Sequence, residues 1–272
     1  MFVHCSGACN GADMVRPSNP KLCFGAMNSL SRRDMDKQSL AVIRERILKS
    51  REQNDRIKAL LPGGGAPSLR ANFARCAIDL AIEHHSGLIR VAEAGEYGTA
   101  AALLRPLLES STSAFWFMYV ATCAEIRALP RTAVEDASTD IPMLGEMARL
   151  LVPIFPAVQT LVNELKKGGR AKWLHKYTHG GTPQLIRRSP GWTEGEVMLT
   201  LIRGDMFAVL GACLETVIAS NPALSTYGFG RRDELAEEIT SLFGVPQIAQ
   251  QPHCLPVALT EGCGPPFDIN AP

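Results

Sequence analysis

Between Lys166 and Arg188 the chain reads KKGGRAKWLHKYTHGGTPQLIRR, a stretch with seven cations and no acidic residue. His175 and His179 lie four apart within it, a spacing that sets both imidazoles on one face of a helix. Imidazoles titrate near neutrality and so suit proton transfer. Cations with interleaved aromatics suit a phosphate backbone and unstacked bases. The segment therefore reads as a nucleic-acid surface made by Lys166, Lys167, Lys172, Trp173, Lys176, Tyr177, Arg187 and Arg188, with His175 and His179 beside them. The plainer reading of the same residues is a solvated basic loop with one structural histidine. A zinc site would need a third protein ligand and usually a fourth. No acid or cysteine lies nearby in sequence, and the positive charge opposes a cation, so neither a metal nor a cofactor is expected.

Arg105 and Glu109 form a second constellation, four apart in an otherwise apolar helix. A charge on such a face must find a partner or reach a cleft. The main expectation is a buried pair tying this helix to its neighbours. The alternative places the pair in the site behind His175 or His179. Adjacent His84 and His85 point about 100° apart on a helix, so at most one should enter the core. His4, Cys5, Cys9 and Cys23 match no strong zinc spacing.

The elements that must carry these groups are helices. Residues 34–61 place Leu40, Ile43, Ile47, Ile57, Leu60 and Leu61 along an apolar stripe, with Arg44, Arg46 and other charged residues filling the rest. The run from Pro62 to Pro67 ends that helix. Ser68 caps the next, which runs to about Ala94 with Gly95 as its C-terminal stop. A third helix is expected from about Tyr97 to Leu129, kinked or restarted at Pro106. Residues 141–167 read as helix broken at Pro153 and Pro156. Thr193 and Glu196 have the spacing of a capping box for a long helix that Asn221-Pro222 stops. Residues 110–124 form the most apolar run, short of the roughly 20 residues a membrane span needs. The expected fold is all-α, an antiparallel helical bundle over residues 34–222. A mobile tail at 1–33 precedes it, and a linker, a short helix at 233–243 and a Pro/Gly-rich tail follow over 223–272.

Arg170-x4-His175, together with the LLRPLLES helix and the later WLHKYTHGG, resembles the HEPN superfamily and bacterial helical proteins grouped with it, over roughly residues 70–220. The resemblance implies a HEPN-like bundle acting on RNA, as a metal-independent endoribonuclease of a bacterial defence or toxin system. It also implies a homodimer in which two motifs line one cleft, and an antitoxin or defence protein as possible partner. Arg170, His175 and His179 would then be catalytic, with either His175 or His179 answering to the family histidine. Ala171 stands where the family pattern has a polar residue, a departure from the motif. The rival reading is a non-catalytic helical module that binds a protein partner or a nucleotide.

Composition bounds the other classes. With 46% hydrophobic and 20% charged residues the chain has enough apolar material for a packed core. A net charge of +1 means that any electrostatic signal is local. The first fifteen residues lack a basic start followed by an apolar run. Eight cysteines without paired spacing do not read as a disulfide framework, and Cys76, Cys123 and Cys213 read as small buried hydrophobes. Cytoplasmic localisation, with no membrane partner, is the expectation. No P-loop, dinucleotide fingerprint or Gly-x-Ser-x-Gly elbow occurs.

Overall fold

The computed structural model describes residues 35–129, 140–166, 172–188 and 191–243, with the side chains of 172, 173 and 240–243 outside that description. The candidate residues Lys167 and Arg170 lie outside the described residues, as do the expected tail at 1–33 and everything beyond 243. The described residues form ten helices and no strand, an all-α helical bundle.

Helix α1 (Lys37–Leu60) is capped by Asp36, whose carboxylate accepts from the Ser39 amide at 2.7 Å. Helix α2 (Leu69–Glu93) is capped by Ser68 through the Ala71 amide at 3.2 Å. Helix α3 (Tyr97–Tyr119) runs continuously through Pro106. It ends ten residues short of the expected Leu129, because Thr122 and Glu125 close a capping box that starts a separate helix, α4 (Cys123–Arg127). The stretch with two prolines is divided into α5 (Leu144–Leu151) and α6 (Val158–Leu165). The basic segment holds two short helices, α7 (Lys172–Thr178) and α8 (Thr182–Ile186). Helix α9 (Glu194–Ala219) starts on the Thr193–Glu196 capping box and ends at Ser220, in the left-handed conformation at φ 49°.

The expectation of a linker at 223–232 is overturned. Helix α10 runs without interruption over Pro222–Phe243, with the Asn221 side chain accepting from the Leu224 amide at 3.1 Å. Proline at the first helical position loses no bond it would otherwise make. Leu224 and Leu235 are both fully buried against the core, so the Gly228-Phe229-Gly230 stretch that reads as a loop is held helical by packing on α9.

Helix α9 is the centre of the bundle and packs on α1, α2, α3 and α10. Its length and apolarity would allow a membrane span, yet 67% of that apolar window is buried inside the bundle. A Cβ at Gly204 would sit 3.0 Å from a Leu88 methyl, so glycine there lets α9 close on α2. Arg46, assigned by sequence to the polar face of α1, is instead buried on its inner face beside Ser50, Gln53 and Asn54. Among the cysteines read as buried hydrophobes, Cys213 is buried, Cys76 is exposed and Cys123 is disulfide-bonded.

Candidate functional site

Helix α7 lies along one face of α3 in an antiparallel register, with α8 continuing the same line. Gln184 Nε2 of α8 donates to the Gly98 carbonyl at 3.1 Å, and Thr178 Oγ1 to the Ala102 carbonyl at 3.4 Å. Arg105 Nη1 then reaches His175 Nδ1 at 3.1 Å. The inner side of α7 is apolar: Leu174 joins the core cluster that contains Leu104, Leu108 and Val197, and Tyr177 packs against Trp192 with ring centroids 5.7 Å apart. His175, Lys176 and His179 are therefore left on the exposed side.

The His-Gly-Gly sequence ends α7 in a Schellman motif. Gly181 N–H donates to the Lys176 carbonyl at 2.6 Å, and Gly180 N–H to that of Tyr177 at 3.4 Å. Gly180 is left-handed at φ +63°, and a Cβ on Gly181 would lie 2.9 Å from the Lys176 carbonyl oxygen. The two glycines let the chain turn sharply behind His179. The His175 and His179 rings stand edge-on with centroids 4.4 Å apart.

Arg105 also donates from Nε to Glu109 Oε1 at 2.8 Å. The expectation of a buried pair fails here: the side chains are 19% and 37% exposed, on the face that receives α7. Arginine has only donors, so Nδ1 of His175 is the acceptor and, in the neutral ring, Nε2 carries the hydrogen. Loss of water against α3, the neighbouring His179 ring and the Arg105 charge together push the His175 imidazole below its usual range, with Glu109 opposing. Glu109, Arg105, His175 and His179 thus form a surface chain of four groups that exchange hydrogen bonds or ring contacts.

The other sequence candidates separate. Lys176 and Arg188 are exposed on the same segment. Lys166 is exposed, its Nζ on Asn163 Oδ1 at 3.1 Å. Arg187 is committed to an ion pair with Glu196, the residue that also closes the α9 capping box. Tyr177, read as a stacking surface, is only 8% exposed and belongs to the core, because its position three residues after Leu174 puts it on the packed side of α7. Lys172 and Trp173 sit at the start of α7.

A second polar constellation, missed by the sequence reading, is centred on Asp205 inside the bundle and reaches the partly exposed Glu238 at its edge. Asp205 of α9 accepts from Ser50 Oγ at 2.9 Å and His85 Nε2 at 2.8 Å, and pairs with Arg46. Arg46 also meets Glu238 at 2.8 Å, and Asn54 Nδ2 donates to His85 Nδ1 at 2.9 Å. With Asp205 and His85 fully buried, this network is internal wiring rather than a ligand site. Of the adjacent histidines, His85 enters the core, while His84 stays at its edge near Ser110 Oγ at 3.3 Å. The signals for the network were polar residues at helical spacing on α1 and the expectation that at most one of His84 and His85 enters the core.

No group of three or more His, Cys, Asp and Glu side chains suited to a metal occurs among the described residues. Two open grooves, of about 600 and 410 Å³, are lined by residues such as His84 and Arg90 in one and Arg56 and Tyr227 in the other; neither includes His175 or His179. Residues 78–231, more than half of the chain, match the model of a family described as a family of unknown function, DUF6988. No curated protein and no solved structure matches the chain.

Proposed function

The chain belongs to the DUF6988 family, and we propose that it binds RNA on the exposed face of α7 and cleaves it without a metal, as a HEPN-like endoribonuclease. The observation that carries this reading is the hydrogen bond from Arg105 to Nδ1 of His175, made beside His179 on an open, cation-rich surface. An arriving phosphodiester competes for the Arg105 guanidinium, which is shaped to hold phosphate oxygens. His175 Nδ1 is then free to accept the proton of the ribose 2′-hydroxyl as that oxygen attacks phosphorus. The bond from phosphorus to the 5′-oxygen breaks, and His179 donates the proton that the leaving oxygen takes. The products are a 2′,3′-cyclic phosphate and a free 5′-hydroxyl. Arg105 stabilises the charge that builds on the phosphoryl oxygens, and Glu109 holds Arg105. Lys166, Lys176 and Arg188 serve the backbone. The HEPN resemblance adds Arg170, a homodimer and an antitoxin or defence partner to the proposal.

The test incubates the purified full chain with total RNA and defined oligonucleotides, beside Arg105→Ala, Arg170→Ala, His175→Ala and His179→Ala. Each substitution should lower cleavage by roughly 10²-fold or more. Lys176→Ala should instead weaken binding and flatten its salt dependence. Absence of both cleavage and low-salt RNA binding sinks the reading. The alternative is then a non-catalytic module that docks a protein, favoured by Leu185 and Ile186, which stand exposed side by side on α8.

A further inference from the structure

Proline lacks an N–H, so Pro106 cannot donate to the carbonyl four residues earlier, that of Ala102. Helix α3 nevertheless continues through this point. The Ala102 oxygen is met from outside the helix by Thr178 Oγ1 at 3.4 Å; the same hydroxyl lies 3.0 Å from the Leu174 carbonyl, so its one hydrogen is shared between the two helices. One residue C-terminal to Thr178 is His179, and three residues N-terminal is His175. On α3, Arg105 stands three residues after Ala102. A bond at Ala102 therefore fixes how far α7 is slid along α3, and that register decides whether His175 meets Arg105.

We propose that Pro106 and Thr178 act as a register key for the histidine helix: Pro106 frees the Ala102 carbonyl, and Thr178 docks on it to hold His175 within reach of Arg105. Thr178 is thus a positioning residue, and the inference rests on the reading of His175 as a reactive group. Two features support it beyond the bond itself. The next carbonyl down the same row of α3, Gly98, receives Gln184, so α7 and α8 are attached by side chains to successive turns of one helix. Helix α7 is also only seven residues long, and Leu174 and Tyr177 are the buried ones among its described side chains, so few packing contacts share the task of setting its position along α3.

His175 reports the register through its surroundings. Arg105 and Glu109 face it from α3 and His179 from its own helix, while α8, with the sequence TPQLI, brings no titratable group. If α7 slips, His175 regains water and loses Arg105 but keeps His179, and its imidazole moves up toward the ordinary value of about 6.5.

The experiment follows the His175 imidazole Cε1–H by NMR across pH in the full chain, with circular dichroism as the check on folding. Thr178→Val removes the donor at nearly constant shape, Thr178→Ser restores it, and Pro106→Ala returns a competing N–H in a residue well suited to helix. The titration should move upward in Thr178→Val and in Pro106→Ala, stay near that of the parent in Thr178→Ser, and move no further in the Val/Ala double variant than in the single ones. Cleavage, where present, should lose on the order of 10- to 10²-fold in kcat with KM unchanged, as for a reacting group displaced by about 1 Å. Unchanged titration in both folded variants overturns the proposal. Movement in Thr178→Val alone overturns the part given to Pro106. If Thr178→Val fails to fold, Pro106→Ala decides by the same measure. No step of the titration needs RNA, so a titration that moves in a protein without RNase activity upholds the key and removes the nuclease.

Discussion

Arg105 and His175 are 70 residues apart in the chain, yet the arginine donates to Nδ1 of the histidine at 3.1 Å while holding Glu109 with its Nε. This single contact ties a partly exposed ion pair of α3 to the histidine helix α7.

The pH dependence of cleavage should follow from that contact. In the proposed reaction the neutral His175 imidazole is the base, and it is pushed down, so the rising limb of the rate profile should lie below the ordinary value of about 6.5. Arg105→Gln removes a positive neighbour that opposes protonation, and the limb should move to higher pH. Glu109→Gln removes a negative neighbour that favours protonation, and the limb should move to lower pH. Profiles of kcat/KM for the two variants, shifted the same way or not at all, would refute the assignment.

Chelators should leave cleavage intact. The third group at the two imidazoles is a guanidinium rather than a carboxylate, and its charge repels a cation. Cleavage assayed with and without EDTA should agree within error, and a loss that zinc or magnesium restores would overturn this.

The stability test of an ion pair belongs inside the bundle. Asp205→Ala leaves Arg46 and His85 buried without their shared acceptor and should cost about 3–5 kcal/mol in urea unfolding. Arg105→Ala, which breaks a partly exposed pair, should cost no more than about 1 kcal/mol. Equal costs at the two positions would contradict the burial described for them.

Gly181→Ala should disturb the site more than the fold. Its Cβ would press on the Lys176 carbonyl and open the turn behind His179. Helical circular dichroism should remain near that of the parent, while the NMR cross-peaks between the His175 and His179 rings weaken. A variant with the cross-peaks intact would show that the turn does not set the pair.

The features legible in the sequence are those whose partners lie within about four residues. Ser68, Thr193 and Glu196 close caps on neighbouring amides, and these hydrogen bonds are nearly independent of the rest of the chain. The same locality explains why the Pro62–Pro67 break and the entry of only one of His84 and His85 into the core follow from residue type and helical spacing. It also explains why the all-α class could be read without a structure. The spacing of His175 and His179 belongs here as well, since one turn of helix brings the rings together.

Tertiary structure alone decided which charged and aromatic groups lie inside the bundle and which stay at its surface. Arg46 looked like a surface residue of α1 until Asp205, 159 residues away, met it in the core. Arg105 and Glu109 looked buried in an apolar helix, but α7 docks beside them and leaves them at the surface. Tyr177 looked like a place for a base to stack until the packing of α7 turned it inward onto Trp192. The physical reason is common to all three. Helical periodicity tells which residues share a face, but the direction of that face is chosen by the apolar surface that other helices bring to it.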